Sequence, residues 1–179
     1  MIFGDPNRFA ILIEYIPEWG DGYKNGLFHF CVKGSIYPDK TKVATLGGDV
    51  FCLSDGNALT SPVNDINLFL MDKGKAFYTM LETMLPERVK SKEKIHDDFI
   101  TSYRYQASTY NLENDCCFFF AISNGNNIRV VGSKLSILKE GANGLHWVDV
   151  SEPYIVDVIL DKDEMNRIIK SAIDYYASI

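Results

Sequence analysis

The spacing of hydrophobic residues predicts β-strands in the first third of the chain. Residues 8–16 form a nearly continuous apolar run that ends at Pro17, which is typical of a strand buried on both faces or nearly so. In residues 25–38, alternate side chains separate into two sets, Phe28, Phe30 and Val32 on one face and His29, Cys31 and Lys33 on the other. Gly34 then allows a tight reversal into a second short strand, so we expect a hairpin.

The middle of the chain predicts irregular structure followed by a helix. Glycine, aspartate and proline interrupt residues 39–65, whose short apolar pieces at 43–46 and 50–53 are either edge strands or ordered loop. Residues 66–71 fit either a strand or the start of a helix. An amphipathic helix is predicted over residues 75–85, ending before Pro86, because apolar side chains recur there at spacings of three and four: Phe77, Met80, Leu81 and Met84. Residues 86–105 predict a second, more exposed helical segment.

Strand-like patterns return after residue 104. Residues 105–112, 115–123 and 127–135 are expected to form three successive strands of an antiparallel meander. Asn124 and Gly125 provide a hairpin turn between the last two of them. A turn at residues 140–144, a short strand at 145–150 and a further strand at 153–160 complete the predicted sheet.

The C-terminal segment has the clearest helical pattern. Asp161 is a candidate N-cap, with Glu164 three positions later as in a capping box. An apolar stripe of about five turns follows, and its members are Met165, Ile168, Ile169, Ala172, Ile173 and Tyr176. We therefore predict a single α+β domain over residues 1–179, with a mainly antiparallel sheet, a long amphipathic C-terminal helix and one or two central helices.

The composition is that of a globular protein with an acidic balance. The chain has 179 residues, 46% of them hydrophobic, which is enough for one sizeable core. The formal net charge is −6, distributed as −4 over residues 1–72, +3 over residues 73–139 and −5 over residues 140–179. This charge argues against nucleic acid as a ligand and favours a cationic partner, although acidity also serves solubility alone.

Neither a membrane segment nor a cysteine framework is predicted. The longest apolar run, residues 116–122, is far shorter than the ~20 residues of a membrane span, and the N-terminus lacks the order of a signal peptide. We therefore expect a cytoplasmic protein with no membrane partner. The four cysteines have spacings that suit neither disulfides nor a metal site, and they are expected to be reduced: Cys31, Cys52, Cys116 and Cys117.

No catalytic residue, metal or cofactor is predicted. His29, His96 and His146 are scattered, without a second histidine or a cysteine at zinc-binding spacing, and dinucleotide, Walker A and nucleophile-elbow motifs are absent from the sequence. A lone histidine on a strand is more often packed than catalytic, so His29 is expected to pack. Two alternatives stay open: a small cytosolic hydrolase or transferase that uses His29 or His96 beside a carboxylate, and a ligand-binding module.

Three segments resemble the start of a known family. They are MIFGDPNRFAILIEYIPEW, GLFHFCVKGSIYP and TLGGDVFCL, with Trp19 after the first strand and a Gly-x-Phe-x-Phe strand over residues 26–30. Gly4 and Asp5 are expected to form a turn that starts the first strand. The segments are similar to the forty-second numbered family of bacterial immunity proteins, which are encoded beside polymorphic toxins, including those of contact-dependent growth inhibition systems.

The resemblance implies an immunity protein (antitoxin) that has no enzymatic activity and needs no cofactor. Such a protein binds the toxic C-terminal domain of a cognate secreted toxin and covers its active site or substrate cleft. A basic domain, such as a nuclease, would suit the acidic balance of this chain. The protein itself is expected to be a monomer or a weak dimer.

Two acidic segments with aromatic side chains are the candidate partner-binding sites. Interface centres favour Tyr and Trp, and charged rims set the orientation of the partners. The first candidate site is Glu18, Trp19, Asp21 and Tyr23, and the second is Asp149, Glu152 and Tyr154. For Trp19 the alternative is that the indole folds back to cover the core.

Overall fold

The N-terminal part of the chain forms an antiparallel sheet. The computed structural model describes residues 1–20, 22–54, 56–89, 95, 97–141 and 144–179. The strands β1 (Ile2–Asp5), β2 (Phe9–Tyr15), β3 (Asn25–Val32) and β4 (Ser35–Tyr37) lie side by side in chain order, and β5 (Ala44–Thr45) pairs with the start of β3. This N-terminal sheet confirms the strands expected over residues 8–16 and 25–38.

A second sheet and a hairpin come from the C-terminal part. The strands β7 (Cys117–Ser123) and β8 (Asn127–Lys134) are antiparallel neighbours, β11 (Val156–Asp161) pairs antiparallel with β8, and β6 (Val63–Asn64) pairs parallel with β7. Beside this C-terminal sheet, β9 (Ser136–Gly141) and β10 (Gly144–Asp149) form an antiparallel hairpin of their own. The hairpin predicted around Asn124 and Gly125 is confirmed.

The described residues also form α-helices and two 3₁₀ turns. The helices are α1 (Leu46–Cys52), α2 (Ile66–Leu70), α3 (Lys73–Met84), α4 (Tyr110–Glu113) and α5 (Lys162–Ser178), and the 3₁₀ turns are Pro17–Trp19 and Pro86–Arg88. None of the helices in the described part of the chain has the length and apolarity needed to cross a membrane. The α+β architecture with a mainly antiparallel sheet is confirmed.

Two hydrophobic cores lie on the two faces of the C-terminal sheet. In the first core, Phe119 of β7 meets the N-terminal sheet, with its ring centroid 5.5 Å from that of Phe30 and 5.1 Å from that of Tyr37. In the second core, Phe120 faces the opposite way and its ring centroid lies 5.6 Å from that of Phe77 on α3. Because both faces of β7 are buried, its sequence is apolar without alternation.

The local signals for the C-terminal helix are confirmed. The Asp161 carboxylate caps α5 by accepting hydrogen bonds from the backbone N–H groups of Asp163 at 2.8 Å and Glu164 at 3.4 Å. The first members of the predicted stripe are buried in the first core: Met165, Ile168, Ile169 and Ala172.

The N-terminal hairpin turns at Lys33 and Gly34, whose positive φ angles of 51° and 80° are those of a type I′ turn.

Two central segments are helical where strands were among the expectations. Residues 50–53 belong mostly to α1, whose Leu46 and Val50, four positions apart, face the first core together. Of residues 66–71, Ile66–Leu70 form α2, because the Asp65 carboxylate accepts a hydrogen bond from the Leu68 N–H at 2.9 Å and caps the helix.

The expected strand over residues 105–112 is wrong. The segment makes one isolated antiparallel bridge to β7, between Gln106 and Phe120, and then turns into α4. The expected second helix over residues 86–105 is also wrong for the residues described, which hold one 3₁₀ turn and then turns and irregular backbone; residues 90–94 and His96 lie outside them.

The structure corrects one predicted turn near the N-terminus and adds one strand that was not predicted. Gly4 and Asp5 do not form a turn before the first strand, since they belong to β1, and the turn follows it, where the Arg8 N–H donates to the Asp5 carbonyl at 2.9 Å. Strand β9 was not predicted, because its two large apolar residues, Ile137 and Leu138, are adjacent and so do not form one hydrophobic face.

Candidate functional site

The first predicted partner-binding set lies at one end of the N-terminal sheet. Glu18 and Trp19 form the 3₁₀ turn after β2, and Tyr23 lies in the connection to β3. None of the residues in this turn is buried, Trp19 is 39% exposed and Tyr23 is 73% exposed. The Trp19 carbonyl accepts a hydrogen bond from Asn25 Nδ2 at 3.1 Å, which ties the turn to β3. Trp19 therefore does not fold into the core, and Asp21 lies outside the described residues.

The second predicted set is partly occupied by contacts within the protein. Asp149, at the end of β10, accepts hydrogen bonds from Ser136 Oγ at 2.8 Å and Arg88 Nη1 at 2.7 Å, and these neighbours lower the pKa of its carboxyl. Glu152 and Tyr154 are exposed, and Lys73 Nζ lies 5.3 Å from the centroid of the Tyr154 ring. The first set thus lies between β2 and β3, whereas Asp149 ends β10 and Glu152 and Tyr154 lie in the connection from β10 to β11.

A cleft rimmed by exposed aromatic side chains was not predicted from the sequence. Phe51 lies on α1, Tyr110 lies on α4, and Tyr103 precedes α4 in the chain. Their side chains are 72%, 60% and 58% exposed, respectively, and all three line a cavity of 330 Å³. We call this site the aromatic cleft. Large apolar side chains clustered at the surface in this way mark an interaction site more often than scattered ones do.

The rim of the aromatic cleft is held by packing between α1 and α4. A Cβ atom added at Gly48 of α1 would lie 3.3 Å from Cδ2 of Tyr110, so the Tyr110 ring rests against the helix backbone there. The buried Asp49 carboxylate accepts a hydrogen bond from the Asn111 N–H at 2.8 Å, and Asn111 Nδ2 donates to the Phe28 carbonyl at 2.9 Å. These contacts fix α4 on α1 and on the N-terminal sheet.

One half-buried and one buried acidic side chain lie in and beside the aromatic cleft. Glu113 lines the cavity and accepts a hydrogen bond from Gln106 Nε2 at 2.6 Å, and burial raises the pKa of its carboxyl. A second cavity of 350 Å³ shares the Tyr110 wall and is lined by Asp49, whose pKa is also raised by burial. The site thus combines aromatic faces with carboxylates that have lost part of their hydration.

The histidine and cysteine side chains of the interior have the properties of packed residues. His29 is 4% exposed and its Nδ1 lies 2.9 Å from the Pro38 carbonyl, which only accepts, so the proton of the neutral ring is on Nδ1. Burial lowers the pKa of His29, raises that of Cys31 and raises that of Cys117 to about 12. His29 therefore packs, as expected, and these thiols are not activated.

The remaining candidates for chemistry are few. His146 is exposed on β10, and His96 lies outside the described residues. Among the residues that the structure describes, no three His, Cys, Asp or Glu side chains are grouped so that they could hold a metal ion.

Comparison with known proteins identifies the family. The sequence model of the family described as Immunity protein 42 matches residues 1–175, which extends the resemblance seen in the first third over nearly the whole chain. The fold is similar to the crystal structure of CdiI from Burkholderia dolosa AUO158, with a TM-score of 0.72 and 18% sequence identity over 98% of this chain and 99% of that chain. No curated protein matches the sequence. The chain therefore belongs to the Immunity protein 42 family.

Proposed function

We propose that this protein neutralises one cognate secreted toxin by binding its toxic C-terminal domain and covering the active site or substrate cleft. Membership of the Immunity protein 42 family is the observation that carries the proposal. The similarity of the fold to a CdiI structure supports it, because an α+β scaffold of this kind can present a rigid surface to a partner.

The proposed target is a basic domain, such as a nuclease. A domain that acts on nucleic acid needs a positively charged cleft, and a protein with a net charge of −6 can place carboxylates where phosphates would lie. Complementary charge can raise association rates from about 10⁵–10⁶ to 10⁸ M⁻¹s⁻¹ or more, which suits an inhibitor that must act before the toxin does.

Glu18 and Glu152 are proposed to steer this encounter, with Trp19, Tyr23 and Tyr154 as aromatic contacts beside them. Their exposure supports this role. Asp149 is proposed to support the second set mainly by holding β10, since its carboxylate already receives hydrogen bonds from Arg88 and Ser136. Asp21 stays a prediction.

Co-expression with the toxin encoded beside this protein tests the proposed function. A susceptible strain that makes the toxin domain should survive when it also makes this protein, and equal killing with and without it would refute the proposal. In vitro, the purified toxin domain should lose its activity at one equivalent of this protein. A toxin domain that degrades no nucleic acid would correct the nuclease assignment and leave neutralisation in place.

The steering role predicts a change in association rate. The double variant Glu18→Gln, Glu152→Gln should associate with the toxin more slowly than the wild type at low salt, and the difference should shrink as salt screens exposed charges beyond about 8 Å. The matched control is Asp174→Asn, which removes an exposed carboxylate of α5 that is paired with Lys170. Equal association rates for the double variant and the control at low salt would contradict the steering role.

A further inference from the structure

We propose that the aromatic cleft of Phe51, Tyr103 and Tyr110 over Glu113 receives an arginine or lysine side chain of the toxin domain and is the energetic centre of the complex. The identity of the partner rests on the proposed function. The aromatic cleft includes none of the residues in the two partner-binding segments predicted from the sequence, so it is a separate contact surface.

The aromatic side chains at the rim of the cleft are exposed to solvent. Phe51 is 72% exposed although α1 buries Leu46 and Val50 on its other side, so the helix presents a phenylalanine to solvent from a packed position. Tyr103 and Tyr110 add two further exposed rings on the same cavity. Interface hot spots are enriched in aromatic side chains that stand together on a rigid surface.

The Tyr110 part of the rim is held in place by packing and hydrogen bonds. The Tyr110 ring lies against the α1 backbone at Gly48, a position where glycine lowers helix propensity but leaves room for the ring. The hydrogen bond from the Asn111 N–H to the Asp49 carboxylate anchors α4, the helix that carries Tyr110, to α1. A side chain that is already held in its bound position loses little conformational entropy on binding, and this strengthens a contact.

The carboxylate of Glu113 also lines the aromatic cleft. Glu113 is oriented by the hydrogen bond from Gln106, and among the ion pairs between described residues none involves Glu113. A carboxylate that has lost water without gaining a cation is under-compensated, and a basic side chain would restore the balance. The negative faces of the aromatic rings attract the same cation.

The size of the cavity decides the kind of occupant. At 330 Å³ it holds one or two side chains but no element of secondary structure. A guanidinium group combines a planar face for the rings with a fork of donors for a carboxylate, so arginine fits this combination best. Because the protein carries a net charge of −6, a basic partner domain is attracted to it.

Binding measurements with the toxin domain test the cleft. Tyr110→Ala, Phe51→Ala and Glu113→Gln should each weaken the affinity by about 30-fold, the loss typical of a hot-spot residue. Glu113→Gln keeps an oxygen that can accept the Gln106 hydrogen bond and removes the charge. Leu70→Ala, which truncates a 76% exposed side chain on α2, and Asp174→Asn on α5 are the matched controls and should bind as the wild type does.

Circular dichroism and thermal unfolding of each variant separate a lost contact from a lost fold. The partner residue is then found by replacing each arginine and lysine of the toxin domain with alanine. One of these replacements should be non-additive with Glu113→Gln, with a coupling of at least about tenfold in affinity.

The outcomes distinguish this inference from the proposed function. If the wild type does not bind the toxin, the proposed function fails. If the wild type binds and protects while folded Tyr110→Ala and Glu113→Gln bind within twofold of it, the aromatic cleft is not the contact surface and the inference is overturned. A cleft that instead retains a small molecule through purification, and keeps it when the toxin binds, overturns it as well.

Discussion

Replacing Lys134 by methionine should destabilise the protein strongly. Lys134 ends β8, and its Nζ lies 2.6 Å from Asp115 Oδ2 and also contacts the Asp39 carboxylate. The side chains of Lys134 and Asp115 are only 12% and 10% exposed. Burial disfavours the charged ammonium, but the hydrogen bonds to Asp115 and Asp39 outweigh this and raise the pKa of Lys134. Lys134→Met keeps the apolar length of the side chain and leaves Asp115 buried without a cation.

The magnitude follows from burial. Removing one partner of a buried ion pair costs about 3–5 kcal/mol, because the other charge stays desolvated and unpaired. For a protein of this size each kcal/mol lowers the melting temperature by about 2–4 °C, so the expected fall is about 6–20 °C. The free energy of unfolding is measured by urea titration at neutral pH, followed by circular dichroism, and the melting temperature by heating the same samples.

Lys170→Met is the matched control. Lys170 pairs with Asp174 at 2.7 Å on the surface of α5, and the two side chains are 76% and 61% exposed. Loss of this pair should lower the free energy of unfolding by only about 0.3–0.5 kcal/mol. If Lys134→Met is destabilised by no more than this control, the argument from desolvation is wrong. Adding Asp115→Asn to Lys134→Met should recover part of the lost stability, because it removes the unpaired charge.

Two further perturbations test the interior. Between pH 7 and pH 5 the wild type should lose stability relative to His29→Gln. Burial lowers the pKa of His29 in the folded protein, whereas the histidine of the unfolded chain takes up a proton near about pH 6.5. The contribution of His29 to the free energy of unfolding is therefore complete above that pH and is lost as the pH falls. Parallel pH profiles of the free energy of unfolding would contradict this. Gly132→Ala should lower the free energy of unfolding by about 1–3 kcal/mol. The new Cβ would lie 2.1 Å from Cδ1 of Phe119, and the rings of Phe30 and Tyr37 pack against the Phe119 ring, so it has little room to move. An alanine variant as stable as the wild type would refute this prediction.

Elements with a complete local signal were predictable. Helix α5 has its cap at Asp161 and an apolar stripe with a period near 3.6, and β2 has an apolar run stopped by Pro17. The hairpin at Lys33 and Gly34 follows from a glycine at a position that needs a positive φ. In each case the signal that predicts the element lies in residues close together in the sequence.

Elements whose partners are distant in the chain were not predictable. Helix α1 contains Gly47 and Gly48, which weaken a helix, and it forms because Leu46 and Val50 bury against the core. Residues 105–109 have the composition of a strand, but they make one bridge to β7, at Phe120, before the chain turns into α4. Helix α4 is held by hydrogen bonds of Asn111 to Asp49 and Phe28, which are distant in the chain.

The partner-binding surface shows the same division. The sequence by itself determined the acidic balance, the family resemblance and the strong local elements, because these depend on residue types and on spacings within a few turns or one strand. Only the tertiary structure decided that Phe51, Tyr103 and Tyr110 are exposed around one cavity that Glu113 also lines. The local sequence does not distinguish an aromatic residue of the core from one at the rim of a cleft. The packing of α1 against α4 decides which of these two positions the residue occupies.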